Sequence, residues 1–222
     1  MDENFAEFIG IYIGDGCLTK RIEKNSYEFK FVGNPSKDIP YFREYVSELA
    51  SQAAGRSIRA RIMDRGRSIG IYFCSKLLAE RFSKLGFNGG PKSERIRIPD
   101  EIMERDGLRQ ACVRGIFDTD GCFTIKKRGR DRPYYPVITF SMKNREVIHQ
   151  IGMALEMADI PHSKSFDVES YDKRNSRTYS KHFLSIYGFE NVHKWFEIFG
   201  SRNPWTNAKL ERFKKENSGR WI

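Results

Sequence analysis

Two aspartates stand out by their surroundings: Asp15 and Asp120 each close a largely apolar stretch and are each followed by Gly-Cys. Residues 6–18 read AEFIGIYIGDGCL and residues 111–123 read ACVRGIFDTDGCF. At a constant offset of 105, Ala6 matches Ala111, Gly10 matches Gly115, Asp15 matches Asp120, Gly16 matches Gly121 and Cys17 matches Cys122. A single Asp-Gly is a common turn and proves nothing. Two copies in register are different. If the stretches before them are helices packed together, the carboxylates fall side by side at two helix C-termini. There they repel one another at the negative ends of both dipoles. A divalent cation relieves that repulsion, and oxygen ligands suit Mg²⁺.

Both preceding segments have the character such packing needs. Phe5, Phe8, Ile9, Ile11, Tyr12 and Ile13 in the first, and Val113, Ile116 and Phe117 in the second, make helices apolar on several sides, which must be buried. Ala6, Gly10 and Gly14 lie four apart on one face, as do Ala111, Gly115 and Thr119. Glycine inside a helix costs about 1 kcal/mol relative to alanine, so its repeated use implies that close backbone approach repays the loss. Ala6, Gly10, Ala111 and Gly115 are therefore the expected helix interface.

The chain downstream of each motif also repeats. Strands at Cys17–Glu23 and Cys122–Arg130 are expected, then second strands ending near Phe31 and Phe140. Amphipathic helices come next, with Phe42, Val46, Leu49 and Ala53 in one and Ile148, Ile151, Leu155 and Ala158 in the other. Two more strands come after them in each half, Ser57–Met63 and Ser68–Phe73, then Ser163–Ser170 and Thr178–Ile186. Helices Leu77–Leu85 and Val192–Phe199 close the halves, each capped by glycine, Gly86 or Gly200. The reading is an α+β fold of two pseudo-symmetric αββαββα units with antiparallel sheets. Residues 1–88 form the first unit, 89–106 a linker, and 107–222 the second unit with a C-terminal helix near Asn207–Glu216.

Strand alternation gives each sheet one face for the helices and one for a partner. On the outer face fall Cys17, Thr19, Arg21 and Glu23, Lys30, and Ser57, Arg59 and Arg61 in the first half. Cys122, Thr124, Lys126, Arg128, Arg130, Thr139 and Ser141 fall there in the second, while Ile58, Ala60 and Ile62 face inward. Arg and Lys suit phosphates and guanine edges, and Thr and Ser suit adaptable hydrogen bonds, so this face matches a DNA groove. The last two strands of the second half put Asp167 and Glu169 on the outward parity, and no contacts are assigned there.

Composition agrees. With 39 Lys and Arg against 29 Asp and Glu the net charge is +10, which calls for a polyanionic partner. The four cysteines form no C-x-x-C pair and the four histidines are scattered, so a zinc site has no support; buried reduced thiols are the expected state. No apolar run approaches the roughly 20 residues of a membrane span, and the acidic start Met-Asp-Glu-Asn lacks signal-peptide character. A cytoplasmic or organelle-encoded protein with no membrane role is expected.

At the motif copies FIGIYIGDG (Phe8–Gly16) and VRGIFDTDG (Val113–Gly121) the chain resembles the two-motif LAGLIDADG homing endonucleases, and the resemblance covers nearly its whole length. It implies a monomer with a saddle-shaped surface on a long asymmetric double-stranded DNA site. It also implies metal-dependent phosphodiester hydrolysis leaving staggered ends, with Mg²⁺ or Mn²⁺. The essential acids fall on Asp15 and Asp120, and the residues just before them, Gly14 and Thr119, would lend backbone carbonyls to the metal. The basic or amide residue expected after the second strand falls on Lys143 and on Asn34, so the two halves are chemically unequal. The acid two positions before each motif aspartate is present as Asp118 but replaced by Ile13. Intron encoding is expected, and the same fold also serves intron maturases, which bind intron RNA, and non-cleaving DNA-binding regulators.

Overall fold

The computed structural model describes residues 1–21, 23, 25–90, 96–127, 134–172 and 176–221. Helix α1 (Glu3–Asp15) starts at Asp2, whose carboxylate accepts the Phe5 N–H at 2.8 Å, and ends where Gly16 turns extended. Strands β1 (Gly16–Arg21) and β2 (Ser26–Gly33) follow. A π-helical turn at Tyr41–Val46 then runs into α2 (Ser47–Ala54), and β3 (Arg61–Met63), β4 (Ser68–Cys74) and α3 (Lys76–Lys84) complete the unit. After a short α4 (Asp100–Met103), the same order recurs as α5 (Asp106–Asp120), β5 (Gly121–Lys127), β6 (Tyr134–Met142), α6 (Arg145–Met157), β7 (Ser163–Asp172), β8 (Arg177–Tyr187) and α7 (Phe189–Ile198). Helix α8 (Pro204–Glu216) is added at the end; it begins earlier than expected because Asn203 caps it and proline at its first turn needs no N–H partner.

The architecture is α+β, with two antiparallel sheets of order β1-β2-β4-β3 and β5-β6-β8-β7. In each unit the motif helix lies on the inner sheet face through aromatic contacts. Tyr12 meets Phe31 of β2 with centroids 6.3 Å apart, and its counterpart Phe117 meets Phe140 of β6 at 5.8 Å. Gly86 and Gly200, at φ +90° and +70°, close α3 and α7 as left-handed caps. The free edge of each first strand is covered at the same place: Gly90 N–H donates to Leu18 O at 3.2 Å, and Lys209 Nζ donates to Phe123 O at 2.7 Å. Covering the edge hides unpaired ladder groups. Among the described residues no helix is long and apolar enough to cross a membrane.

Three strand readings need correction. The expected strand Ser57–Met63 shrinks to Arg61–Met63, because α2 takes the preceding amides: Ile58 N–H donates to Ser51 Oγ at 2.8 Å and Ala60 N–H to Ser47 Oγ at 3.0 Å. Arg59 is exposed but lies off the sheet, and Ile62, on the inward parity of an edge strand, is 45% exposed. The first strand stops at Arg21, and Arg128 and Arg130 lie outside the described residues. In β7 a bulge between Ser165 and Val168 shifts the register, so Val168 pairs with Lys181 on the outer face while Glu169 pairs with Ser180 on the other. An extra residue in one strand reverses parity beyond it, which removes Glu169 from the groove.

Candidate active site

The two motif helices approach as closely as their glycines allow. A Cβ placed on Gly10 would lie 2.0 Å from Cys112 O, and one on Gly115 would lie 2.3 Å from Glu7 O. Ala6 and Ala111 are buried in the same seam. The approach persists to the helix ends, where a Cβ on Gly14 would lie 2.0 Å from Thr119 Oγ1 and 3.4 Å from Asp120 Oδ2. The Asp120 carboxylate thus sits against the residue that precedes Asp15. Gly16 and Gly121 serve differently: their φ is ordinary, but each N–H bonds back to Tyr12 O or Phe117 O, and a Cβ there would strike that same turn.

Asp15 and Asp120 are half-buried at the C-terminal ends of α1 and α5. The donors there are carboxylate oxygens and the last helical carbonyls, including those of Gly14 and Thr119. The Thr119 hydroxyl is turned back to Gly115 O and Ile116 O, each at 3.0 Å, so only its carbonyl suits a ligand. Among the described residues no group of three His, Cys, Asp or Glu clusters elsewhere to hold a metal. Oxygen donors at two negative helix ends fit a hard divalent cation that completes its shell with water and phosphate oxygens.

Asp118 is not part of that donor set. It is buried and accepts from Ser201 Oγ and, at 2.7 Å, from Arg202 N–H. Burial pushes its carboxyl up to about 7, against the pull of those two hydrogen bonds. Beside it runs a polar network that the sequence did not disclose. Glu7, 1% exposed, is paired with Arg114, whose Nε lies 3.0 Å from Glu7 Oε2 and whose Nη1 donates to Phe199 O at 3.1 Å. Tyr41, fully buried, is pushed well above its ordinary value by burial and then by the charges of Asp118, Glu7, Tyr45 and Asp15. Asn203 Nδ2 reaches Asp38 Oδ1 at 3.1 Å, and Asp38 Oδ2 accepts the Asn34 N–H at 2.8 Å. A charge inside an otherwise apolar helix, as at Glu7 and Arg114, was the available signal.

The residues after the second strands differ as expected in type and also in posture. Lys143 lays its Nζ 3.9 Å from the centroid of Tyr179 on β8. Asn34 Oδ1 accepts Ser36 N–H at 2.8 Å, closing the turn that Pro35 begins.

The outer sheet faces carry the expected residues other than Glu23, Ser57 and Arg59, which lie off the sheet, and those outside the described residues. In the first, Cys17 stands opposite Lys30 and Lys30 opposite Tyr72, with Thr19, Arg21 and Arg61 alongside. In the second, Cys122 stands opposite Thr139, Thr139 Oγ1 lies 3.3 Å from Ser185 Oγ, and Thr124, Lys126 and Ser141 share the face. Expected buried thiols are corrected here: only Cys112 is buried, while Cys17, Cys74 and Cys122 are exposed, since strand parity turns them to the groove. An unforeseen acid, Glu28, sits on the same face of the first sheet, its Oε1 2.9 Å from Arg21 Nε.

Residues 108–200 match the LAGLIDADG-like domain. The chain is 30% identical over 217 residues to the replication factor C small subunit of Methanocaldococcus jannaschii, covering 97% of this chain and 10% of that protein. It is 24% identical over 162 residues to reverse gyrase of the same organism, covering 72% of this chain and 8% of that one. The chain thus spans only about a tenth of the length of these curated relatives. The fold matches a crystal structure of I-DmoI in complex with DNA and Ca with a TM-score of 0.62 at 14% identity, covering 95% and 97% of the two chains. It matches the meganuclease I-SmaMI bound to uncleaveable DNA at 0.56 and 9% identity, covering 97% and 91%. The second half of the chain thus carries a LAGLIDADG-like domain, the motif recurs on the facing helix of the first half, and the whole chain shares the fold of these two structures.

Proposed function

We propose that this chain is a site-specific DNA endonuclease that cuts both strands of a long, asymmetric duplex site as a monomer and leaves staggered ends. The observation that carries the reading is the Asp120 carboxylate packed against Gly14, which brings two motif acids to the junction of two helices beneath two sheets. Asp15 and Asp120, with the carbonyls of Gly14 and Thr119, would hold Mg²⁺, with Mn²⁺ as a substitute. Held there, the cation would supply Lewis-acid chemistry at the scissile phosphate.

The chain's own residues do the rest. Thr19, Arg21, Lys30, Arg61, Thr124, Lys126, Thr139 and Ser141 hold the duplex against the sheets, and Arg59 adds charge at its margin. The close helix seam fixes the separation of the two acids, and so of the two phosphates they address. Lys143 adds a positive charge beside the second centre, where it stabilises charge that develops on the phosphate. Asn34 offers no charge beside the first, so the strand served by Asp120 is cut faster.

The gene is placed in an intron, with the insertion point as target. The test is cleavage of DNA spanning the gene's own insertion site, with Mg²⁺, with Mn²⁺ and with chelator. The wild type should cut only with metal, and Asp120→Asn should bind the site and not cut it. Wild-type-like cutting by that variant would remove Asp120 from the mechanism. Binding without cutting by the wild type would make the chain a regulator, and tight binding of intron RNA would make it a maturase.

A further inference from the structure

Glu28 is a carboxylate on the face that a +10 chain offers to a polyanion. An acid there weakens binding to any phosphate backbone, so affinity does not account for it. Its side chain is only 14% exposed, against 51% for Arg21, and it sits centrally: β2 places it between Thr19 of β1 and Cys74 of β4. It has two neighbours on that face. Its Oε1 lies 2.9 Å from Arg21 Nε, and Tyr72 stands on the same face, its phenol raised above the ordinary value by Glu28. Tyr72 is itself the cross-strand neighbour of Lys30.

We infer that Glu28 is a specificity-determining residue: by pairing with Arg21 at Nε, beside Tyr72, it makes Arg21 read a base edge instead of following the backbone. An arginine held at Nε keeps its two Nη groups as the edge left for a ligand, and that fork matches the N7 and O6 acceptors of guanine. An unheld arginine is drawn to the nearest phosphate, which carries no sequence information. The acid also repels a wrongly placed phosphate, a repulsive element of the kind specificity requires.

The second sheet lacks the device. The residue at the place of Glu28 is Val137, paired with Thr124 and Tyr187 and fully buried. Tyr187 there has its phenol lowered by Ser185 and Ser163, both neutral, and among the described residues no carboxylate pairs with Lys126. The first unit therefore imposes a guanine at one position of its half-site that the second unit cannot match.

This rests on the DNA-binding reading above, and the test separates the two. Wild type, Glu28→Gln and Arg21→Ala are each used to select from a pool of randomised duplexes, and each is titrated with bulk sonicated DNA at several salt concentrations. Wild type should prefer guanine at one position of one half-site by roughly tenfold or more. Glu28→Gln should lose that preference at the same position as Arg21→Ala does, while binding bulk DNA more tightly. Its log–log salt slope should steepen by about 0.9, the value for one more phosphate contact. Should Glu28→Gln fail to fold, Tyr72→Phe must weaken the preference at that same position. An unchanged preference in a folded Glu28→Gln or Tyr72→Phe overturns the role of Glu28 alone. A wild type that selects no sequence overturns the DNA-binding reading with it.

Discussion

The segments that follow the two units' last helices are each held by side chains, and the two grips are chemically unlike. On one side α6 holds the stretch after α3 with neutral amides. Gln150 Oε1 accepts Ile98 N–H at 2.7 Å, its Nε2 donates to Ile98 O at 2.8 Å, and Asn144 Nδ2 donates to Ile96 O at 2.8 Å. On the other side the stretch after α7, residues 199–203, is held by charged groups: Arg114 with Glu7, Asp118, and Asp38 at the start of the α2 region. Amides replace the hydrogen bonds of a backbone with their own and carry no net charge into the interior. Buried charges are different, because each is tolerable only while its partner is present. The same fold-level task is thus done once by a set of independent bonds and once by a set whose members depend on each other.

That contrast is broken most severely at Arg114. Arg114→Met leaves Glu7 buried without its cation and should cost roughly 3–5 kcal/mol, lowering the melting temperature by on the order of 10 °C. Gln150→Ala on the neutral side strands one backbone N–H and one carbonyl and should cost about 1–3 kcal/mol. Thermal unfolding of the two variants side by side decides the matter. Equal losses would mean that the charged grip is no more interdependent than the neutral one.

A second break uses pH. Burial lifts the Asp118 carboxyl from its ordinary 3.8 to about 7, so the folded chain holds this proton more tightly than the unfolded one. The unfolded state therefore binds fewer protons between those values, and stability contributed at Asp118 falls as pH rises from about 4 to about 7, then levels off. Asp118→Asn cannot titrate. In metal-free buffer, denaturant unfolding should show the wild type losing stability relative to Asp118→Asn across that interval. Parallel stability curves would show that this carboxyl titrates as if it were in water.

How much of this was legible beforehand depends on whether local pattern carries it. The helix seam was, because Gly10, Gly14 and Gly115 are costly in helices and only close packing explains them. The repeated element order was, because hydrophobic periodicity and the caps Gly86 and Gly200 are read from neighbouring residues. The charged grip was not. It joins Glu7 and Arg114 on two helices with Asp38 and Asn203 in two loops, the bonded pair Asp38 and Asn203 lying 165 positions apart, and no periodicity links them. Nor was the bulge at Ser165 and Val168, which alone decides the face of Glu169. The short β3 shares that cause, since α2 hydroxyls reached its amides through tertiary packing.

The smallest effect is the most diagnostic of interdependence. Asn203 does two things: its Oδ1 caps α8 by accepting Trp205 N–H at 3.0 Å, and its Nδ2 donates to Asp38 at 3.1 Å. Asn203→Ala alone loses both, so its total cost does not measure the link between units. Asp38→Ala alone likewise loses the Asn34 contact as well as the link. The double variant removes the shared bond only once, so the cycle isolates it, and a coupling of about 1 kcal/mol is expected for an amide donating to a carboxylate. Asn203→Asp should not restore it, because an ionised carboxylate keeps the cap but offers Asp38 only repulsion. Additive single-variant costs, with no coupling, would mean that the two units meet at this bond without being held by it.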